Sequence, residues 1–90
     1  MRRIRLVISG NVQGVGYRSW AMRQAQKRQL AGWVRNRPDG TVEIVAEGEK
    51  QCLLVFIASC QRGPEVSWVD HVDTSWSKAT GEFADFAVVY

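Results

Sequence analysis

A glycine-rich stretch, residues 10–18 (GNVQGVGYR), has the residue types and spacing that best suit chemistry in this 90-residue chain. An alternating apolar run precedes it and a helical pattern follows it, so it is predicted to be the loop that joins a strand to a helix. Unpaired N–H groups and the helix dipole at such a junction attract an anion. Arg18 stands where the helix begins, and its guanidinium can donate two hydrogen bonds to a phosphate or a carboxylate.

The glycine spacing alone does not decide between a ligand site and a tight turn that simply requires glycine. The stretch lacks the Gly-Lys-Ser/Thr ending of a P-loop, and its spacing differs from the dinucleotide-binding fingerprint. Asn36, near the end of a predicted strand, is equally open to two interpretations. Its amide can hold a water molecule, or it can be an ordinary residue beside a turn.

No other residues suggest a protein nucleophile or a metal site. The only histidine, His71, lies in a predicted strand, where its two neighbours point to the opposite face. Cys52 and Cys60 fall in one predicted helix at a separation of roughly 12 Å, which is too far for a disulfide, so we expect two core or partly buried thiols. We therefore expect no metal and no cofactor.

The composition predicts one domain, residues 1–90, in the cytoplasm. No apolar run approaches the roughly 18 residues of a membrane span, and the first residues lack the pattern of a signal peptide. Residues 1–37 contain nine basic residues and no acid, whereas residues 38–90 contain three basic and nine acidic residues. This asymmetry can indicate nucleic-acid binding. We favour instead that the two halves interleave in the fold and neutralise each other, because the basic residues are scattered.

The patterns predict the order β-α-β-β-α-β followed by a terminal strand. The predicted elements are strand 3–10, helix 18–28, strand 30–37, strand 41–47, helix 49–61, a bulged strand 66–76 and a last strand within 83–90. The Pro38-Asp39-Gly40 turn joins the second and third strands. This order is typical of an α+β, ferredoxin-like split β-α-β sandwich, with an antiparallel sheet of four to five strands and two helices on one face. Leu54 and Val55 widen the apolar surface of the second helix, either through deeper burial or as a contact patch.

Three segments together resemble the acylphosphatase family: residues 12–18 (VQGVGYR), 32–36 (GWVRN) and 38–43 (PDGTVE). The resemblance continues more loosely through Gly63-Pro64 and residues 81–83 and covers nearly the whole chain. It implies an enzyme that hydrolyses the carboxyl–phosphate bond of acyl phosphates to a carboxylate and inorganic phosphate. Inorganic phosphate is then a product and a competitor of the substrate. The resemblance implies no metal and no cofactor, and we expect a monomer that binds neither nucleic acid nor a membrane.

The resemblance also implies roles for individual residues. Arg18 matches the arginine that binds the substrate phosphate, and Asn36 matches the asparagine that positions the attacking water. The backbone amides that complete the phosphate site match Gln13, Gly14, Val15, Gly16, Tyr17 and Arg18. The leaving carboxylate has a pKa near 4 and departs without a proton, so the reaction requires mainly positioning and charge stabilisation.

The chain departs from the family pattern at two places. Tyr17 stands where most relatives have phenylalanine, so its hydroxyl must find a partner. Arg28-Gln29 replaces the apolar residue and glycine that usually end the first helix, at a cost in stability of about 1 kcal/mol.

Three alternatives remain open at this stage. The chain can be an acylphosphatase-like module that binds phosphate or another anion without turnover. It can be a piece of a larger protein, as in hydrogenase-maturation carbamoyltransferases, which have a similar domain at their start. It can be a split β-α-β nucleic-acid binder. The sequence does not name the physiological acyl phosphate.

Overall fold

Five strands and two helices alternate along the chain in the order β1-α1-β2-β3-α2-β4-β5. The computed structural model describes all residues, Met1–Tyr90. The strands are β1 (Arg2–Asn11), β2 (Ala31–Asn36), β3 (Val42–Gly48), β4 (Trp68–Lys78) and β5 (Phe86–Val89). The helices are α1 (Tyr17–Lys27) and α2 (Lys50–Arg62). The predicted order of elements is confirmed, with bounds that differ by one to three residues.

The strands form one sheet in the order β4-β1-β3-β2-β5. The pairs β1–β4, β1–β3 and β2–β3 are antiparallel, whereas β2–β5 is parallel. The ferredoxin-like α+β fold is therefore confirmed, but the sheet is mixed at one edge. The reason is topological, because β4 runs opposite to β2 and the chain reverses once before β5. The last strand must then run in the same direction as β2.

Both helices pack on the same face of the sheet, as predicted. The apolar side chains of β1 alternate along the strand, so Ile4, Leu6 and Ile8 are fully buried beneath the helices. Their partners in the core are small or apolar helix residues: Tyr17, Ala21 and Ala25 from α1, and Leu53, Phe56 and Cys60 from α2. Leu54 and Val55 lie on the outer side of α2 and are 42% and 45% exposed. Neither helix has the length and apolarity that crossing a membrane requires.

The C-terminus of α1 adopts a left-handed stop without the glycine that usually forms it. Gln29 has φ 57°, and its N–H donates to the carbonyl of Gln26 at 3.1 Å. The N–H of Leu30 donates to the carbonyl of Ala25 at 3.0 Å, which completes a Schellman motif. The helix thus ends in the left-handed turn that glycine forms most easily, and Gln29 is held in a conformation that costs a residue with a Cβ about 1 kcal/mol.

A β-bulge turns the end of β1 towards the loop that follows. Ser9 pairs with His71 and Gly10 pairs with Val69, so Asp70 is the extra residue of β4. The predicted bulge is confirmed. Gly10 has φ 132°, and a Cβ at this position would lie 2.1 Å from the carbonyl oxygen of Trp68. Only glycine therefore fits where the chain leaves the sheet.

The face of the sheet without helices brings the basic and acidic halves of the chain together. Arg3 pairs with Glu47 through Nε at 2.7 Å. Arg5 and Arg35 pair with the two carboxylate oxygens of Glu43 at 2.7 and 2.8 Å. The predicted interleaving of the two halves is confirmed for these side chains. The strands of the basic half, β1 and β2, alternate in the sheet with the strands of the acidic half, β4, β3 and β5.

Candidate active site

Residues 12–16 form the loop between β1 and α1, and two of its glycines have left-handed backbone angles. Gly14 has φ 75° and Gly16 has φ 79°. A Cβ at either position would meet nothing within 4 Å, so the backbone angle and not the available space favours glycine. Gly16 is the N-cap of α1. The loop therefore enters the helix through a turn that leaves its outer side open.

The backbone N–H groups of this loop have no acceptor in the protein. None of the N–H groups of residues 13–16 donates a hydrogen bond, and the first helical bond runs from Trp20 to Gly16 at 3.1 Å. The amides of the first turn of α1 have no intrahelical partner by geometry. No side chain caps α1, and its first turn contains no acidic residue. This end of the helix is therefore polarised to receive an anion.

A small cavity of about 90 Å³ opens beside the loop. Its walls come from the loop, the first turn of α1, the end of β2 and the C-terminal segment: Val12, Gly14, Gly16, Tyr17, Arg18, Ser19, Asn36, Val88 and Tyr90. A cavity volume of about 10–15 Å³ is enough to hold one water molecule. The cavity therefore has the size for a small polyatomic anion.

Arg18 is half-buried at the cavity and forms no salt bridge. No carboxylate oxygen lies within 4.0 Å of its guanidinium nitrogens. Its guanidinium carbon lies 4.7 Å from the centre of the Tyr90 ring, which is within the range of a cation–π contact. This contact leaves the charge of the guanidinium unneutralised.

Asn36 ends β2 and lines the same cavity. Its Oδ1 is buried and has no hydrogen-bond partner in the protein. A buried acceptor without a partner costs about 1–3 kcal/mol. Such a group is uncommon in native proteins and points to a ligand or a water at this position.

Tyr17 anchors the start of α1 to the end of α2. Its side chain is 1% exposed, and its hydroxyl donates to the carbonyl oxygen of Cys60 at 2.7 Å. The expectation that this hydroxyl needs a partner is confirmed. Burial raises the pKa of Tyr17 well above its usual value and raises the pKa of the Cys60 thiol to about 12. Both groups therefore stay neutral, and the predicted buried thiol is confirmed for Cys60.

The structure brings five of the seven residues predicted from the sequence to the cavity: Gly14, Gly16, Tyr17, Arg18 and Asn36. The side chain of Val15 packs against the core instead. The side chain of Gln13 turns to the β2–β3 hairpin and donates two hydrogen bonds there. No three His, Cys, Asp or Glu side chains lie close enough together to hold a metal ion.

Four lining residues lie outside the predicted set. Val12 and Ser19 flank the predicted loop in the sequence, whereas Val88 and Tyr90 come from the far end of the chain. Val88 and Tyr90 reach the cavity because β5 pairs in parallel with β2, which sets Val89 opposite Arg35 and carries the chain to the level of Asn36. No motif surrounds Val88 and Tyr90, so their place depends on strand pairing alone.

The fold and the cavity define an α+β sandwich that presents backbone amides and one arginine to a small anion. The acylphosphatase family model matches residues 4–88. An acylphosphatase of Methylococcus capsulatus is 46% identical over 89 residues, which is 99% of this chain and 97% of that protein. The chain superposes on a crystal structure of acylphosphatase from Bacillus subtilis with a TM-score of 0.96, at 40% identity and complete coverage of both chains.

A structure of an acylphosphatase from Coxiella burnetii gives a TM-score of 0.90 at 33% identity, over 97% of this chain and 90% of that one. The chain belongs to the acylphosphatase family. The predicted resemblance is therefore confirmed over the whole chain, and the family supports an acylphosphatase enzyme that acts on small-molecule acyl phosphates.

Proposed function

We propose that this acylphosphatase holds the substrate phosphate with the amides of residues 13–18 and the Arg18 guanidinium, and orients the attacking water with Asn36. One observation supports these roles. Gly14, Gly16, Arg18 and Asn36 line one cavity of about 90 Å³. The loop amides have no acceptor in the protein, Arg18 has no carboxylate partner, and the buried Asn36 oxygen has no hydrogen bond. Each group lacks what a phosphate or a water molecule supplies.

The phosphate site acts through charge and geometry. Phosphoryl transfer depends on positioning and on stabilising the oxygens of the transferring group. Backbone amides fixed by the turn at Gly14 and Gly16 need little reorganisation during the reaction, which makes their stabilisation effective. Arg18 adds a fork of two donors that matches two phosphate oxygens.

The water site completes the reaction. A neutral amide is not a base, but the Asn36 oxygen can accept a hydrogen bond from a water molecule and aim it at phosphorus. The bond from the water oxygen to phosphorus forms as the bond from phosphorus to the acyl oxygen breaks. The electron pair leaves with the carboxylate, which needs no proton. A phosphate oxygen of the substrate takes up the proton of the water.

Benzoyl phosphate hydrolysis tests this proposal against binding without turnover. We expect turnover without added metal, with inorganic phosphate as a competitive inhibitor because it shares the recognised group. Tight phosphate binding with no hydrolysis would support the non-catalytic alternative. Hydrolysis that millimolar phosphate leaves uninhibited would contradict the phosphate site.

We further propose a monomer that works in the cytoplasm without nucleic acid. Arg3, Arg5 and Arg35 are neutralised by ion pairs, which weakens the case for a basic binding face. Both cysteines are free thiols, which suits a reducing compartment. Sedimentation of the purified chain measures the oligomeric state. RNA binding that falls steeply with added salt would favour the nucleic-acid alternative.

A further inference from the structure

The side chain of Gln13 connects the phosphate-site loop to the β2–β3 hairpin. Its Nε2 lies 2.8 Å from the carbonyl oxygen of Arg37 and 2.8 Å from that of Thr41. A primary amide nitrogen has two N–H groups, so both are used. The distances are typical of well-formed hydrogen bonds. One side chain thus joins segments that are 24 and 28 residues apart in the sequence.

The two carbonyl groups lie directly beside Asn36. Arg37 follows Asn36 in the chain, and Thr41 precedes Val42, the residue that pairs with Asn36 across the hairpin. Gln13 therefore holds both strands of the hairpin at the level of Asn36. Gln13 itself begins the run of loop amides that face no acceptor in the protein.

The hairpin does not need Gln13 to form its turn. The N–H of Arg37 donates to Thr41 at 2.8 Å, and the N–H of Gly40 donates to Arg37 at 3.1 Å. The hydroxyl and the N–H of Thr41 both donate to Asp39 Oδ1, at 2.6 and 3.0 Å. Since a carbonyl oxygen has two lone pairs, each one accepts the Gln13 bond in addition to its bond within the turn. What Gln13 adds is the placement of the hairpin relative to the loop.

We propose that Gln13 is a positioning residue that sets the Asn36 side chain relative to the phosphate site through these two hydrogen bonds. This inference rests on the roles proposed above for Asn36 and the loop. The attacking water must lie in line with the bond that breaks, and displacements of about 1 Å at such a site cost on the order of 100-fold in rate. Two hydrogen bonds from one rigid amide group restrict displacements of this kind.

Gln13→Met tests the proposal, because methionine has a similar length and no donor. We expect kcat for benzoyl phosphate to fall about tenfold or more, with the inhibition constant for inorganic phosphate changed by less than about twofold, since Arg18 and the loop amides remain. Gln51→Met is the matched control, as Gln51 is exposed on α2, and should leave kcat unchanged. A Gln13→Met protein that melts at a lower temperature but keeps its kcat per folded molecule would overturn the proposal.

Gln13→Glu gives a pH signature that a merely structural residue would not produce. An ionised carboxylate would face two carbonyl oxygens without a proton to donate, so kcat at neutral pH should fall below that of Gln13→Met. The carbonyls disfavour the ionised form and raise its pKa. Below this pKa the carboxylic acid donates one hydrogen bond, so kcat relative to wild type should rise as the pH falls. A ratio that does not change with pH would contradict the proposal.

Asn36→Ala, alone and combined with Gln13→Met, separates failure of this inference from failure of the proposed site. If Gln13 acts through Asn36, the double variant should lose little more kcat than Asn36→Ala alone. If the kcat losses of the two single variants multiply in the double variant, the inference is overturned. Loss of kcat in Asn36→Ala with none in Gln13→Met would overturn it as well, and the proposed site would stand. Unchanged kcat in Asn36→Ala would remove the proposed role of Asn36, and this inference with it.

Discussion

The two ends of β1 use arginine in opposite ways. At its start, the Arg3 guanidinium is bound by Glu47 at 2.7 Å and also contacts Glu82. Beyond its end, Arg18 has no carboxylate partner and stacks only on the ring of Tyr90. The same residue type is therefore satisfied within the protein at one end and left available to a ligand at the other.

The backbone amides show the same contrast. The N–H groups of Thr80 and Gly81 donate to the Glu47 carboxylate at 2.9 and 3.0 Å, so an acid of this chain occupies the place that an anion could take. The amides of residues 13–16 have no such partner. Groups that are paired internally stabilise the fold, whereas groups that are left unpaired form a binding site at some cost in stability.

The lowered pKa of Glu47 reflects the hydrogen bonds that its carboxylate accepts. Burial by itself would raise that pKa, but the hydrogen bonds from Thr80, Arg3 and Gly81 outweigh burial and lower it from 4.5 to about 2. The carboxylate is ionised at neutral pH and holds the segment between β4 and β5 against β3. Variants at the two ends should therefore affect different properties, activity at one end and stability at the other.

The largest effect is expected at Arg18. Arg18→Ala should lower kcat/KM by about 1,000-fold or more, because it removes the charge that faces the phosphate. The free energy of unfolding should change by less than about 1 kcal/mol, since only the contact with Tyr90 is lost. Arg18→Lys should rescue poorly, as an ammonium lacks the two-donor fork. Hydrolysis assays and thermal melts measure both properties, and near-normal activity in either variant would remove Arg18 from the site.

The second effect is expected at Asn36 and separates binding from catalysis. Asn36→Ala should lower kcat by about 100-fold while KM and the phosphate inhibition constant change little, because a water-orienting bond acts mainly in the transition state. The protein should fold normally, as the turn at residues 38–40 closes without this side chain. Steady-state kinetics with phosphate inhibition provide the test. A lowered melting temperature with unchanged kcat would instead identify Asn36 as a structural residue.

The third prediction concerns the other end of β1 and should show the reverse pattern. Glu47→Gln should lower the free energy of unfolding by about 1–3 kcal/mol, because two backbone amides and Arg3 lose a charged acceptor. kcat per folded molecule should not change, since Arg3 and the loop are separated by about 25 Å along β1. Denaturant unfolding and the hydrolysis assay measure the two properties. Glu65→Gln, at an exposed carboxylate, is the control and should leave both unchanged.

The Glu47 carboxylate should also make the free energy of unfolding depend on pH. The pKa of Glu47 is about 2 when folded and 4.5 ordinarily, so its stabilisation is fully present above 4.5 and is lost as the pH falls through about 2. Unfolding measured from pH 6 downwards should therefore show a steeper loss of stability in wild type than in Glu47→Gln. Parallel curves would mean that Glu47 does not make this contribution.

The smallest effect is expected at the end of α1. Gln29→Gly should raise the free energy of unfolding by about 0.5–1 kcal/mol, because glycine adopts the φ of 57° without strain. Gln29→Ala keeps the Cβ and should give no gain. Thermal melts of both variants against wild type decide the point, and kcat should be the same in all three. Equal melting temperatures for glycine and alanine would show that the left-handed residue is not strained.

Local chemistry made much of this protein predictable from its sequence. The turn at Pro38-Asp39-Gly40, the alternating face of β1 and the helix start near Arg18 each depend on residues close together in the chain. The order of elements and the α+β fold follow from these local patterns. The acylphosphatase motifs pointed to the family and to the candidate residues Arg18 and Asn36, and comparison with relatives confirmed the family.

The tertiary structure alone decided how distant segments meet. It brings Tyr90 to Arg18 by pairing β5 in parallel with β2. It directs the Gln13 side chain to the hairpin, and it leaves the Asn36 oxygen buried without a partner. These contacts join residues far apart in the sequence, and neighbouring residues do not specify which strand edge or carbonyl a side chain will reach. They depend on the register and packing of the complete sheet, which form only when the whole chain folds.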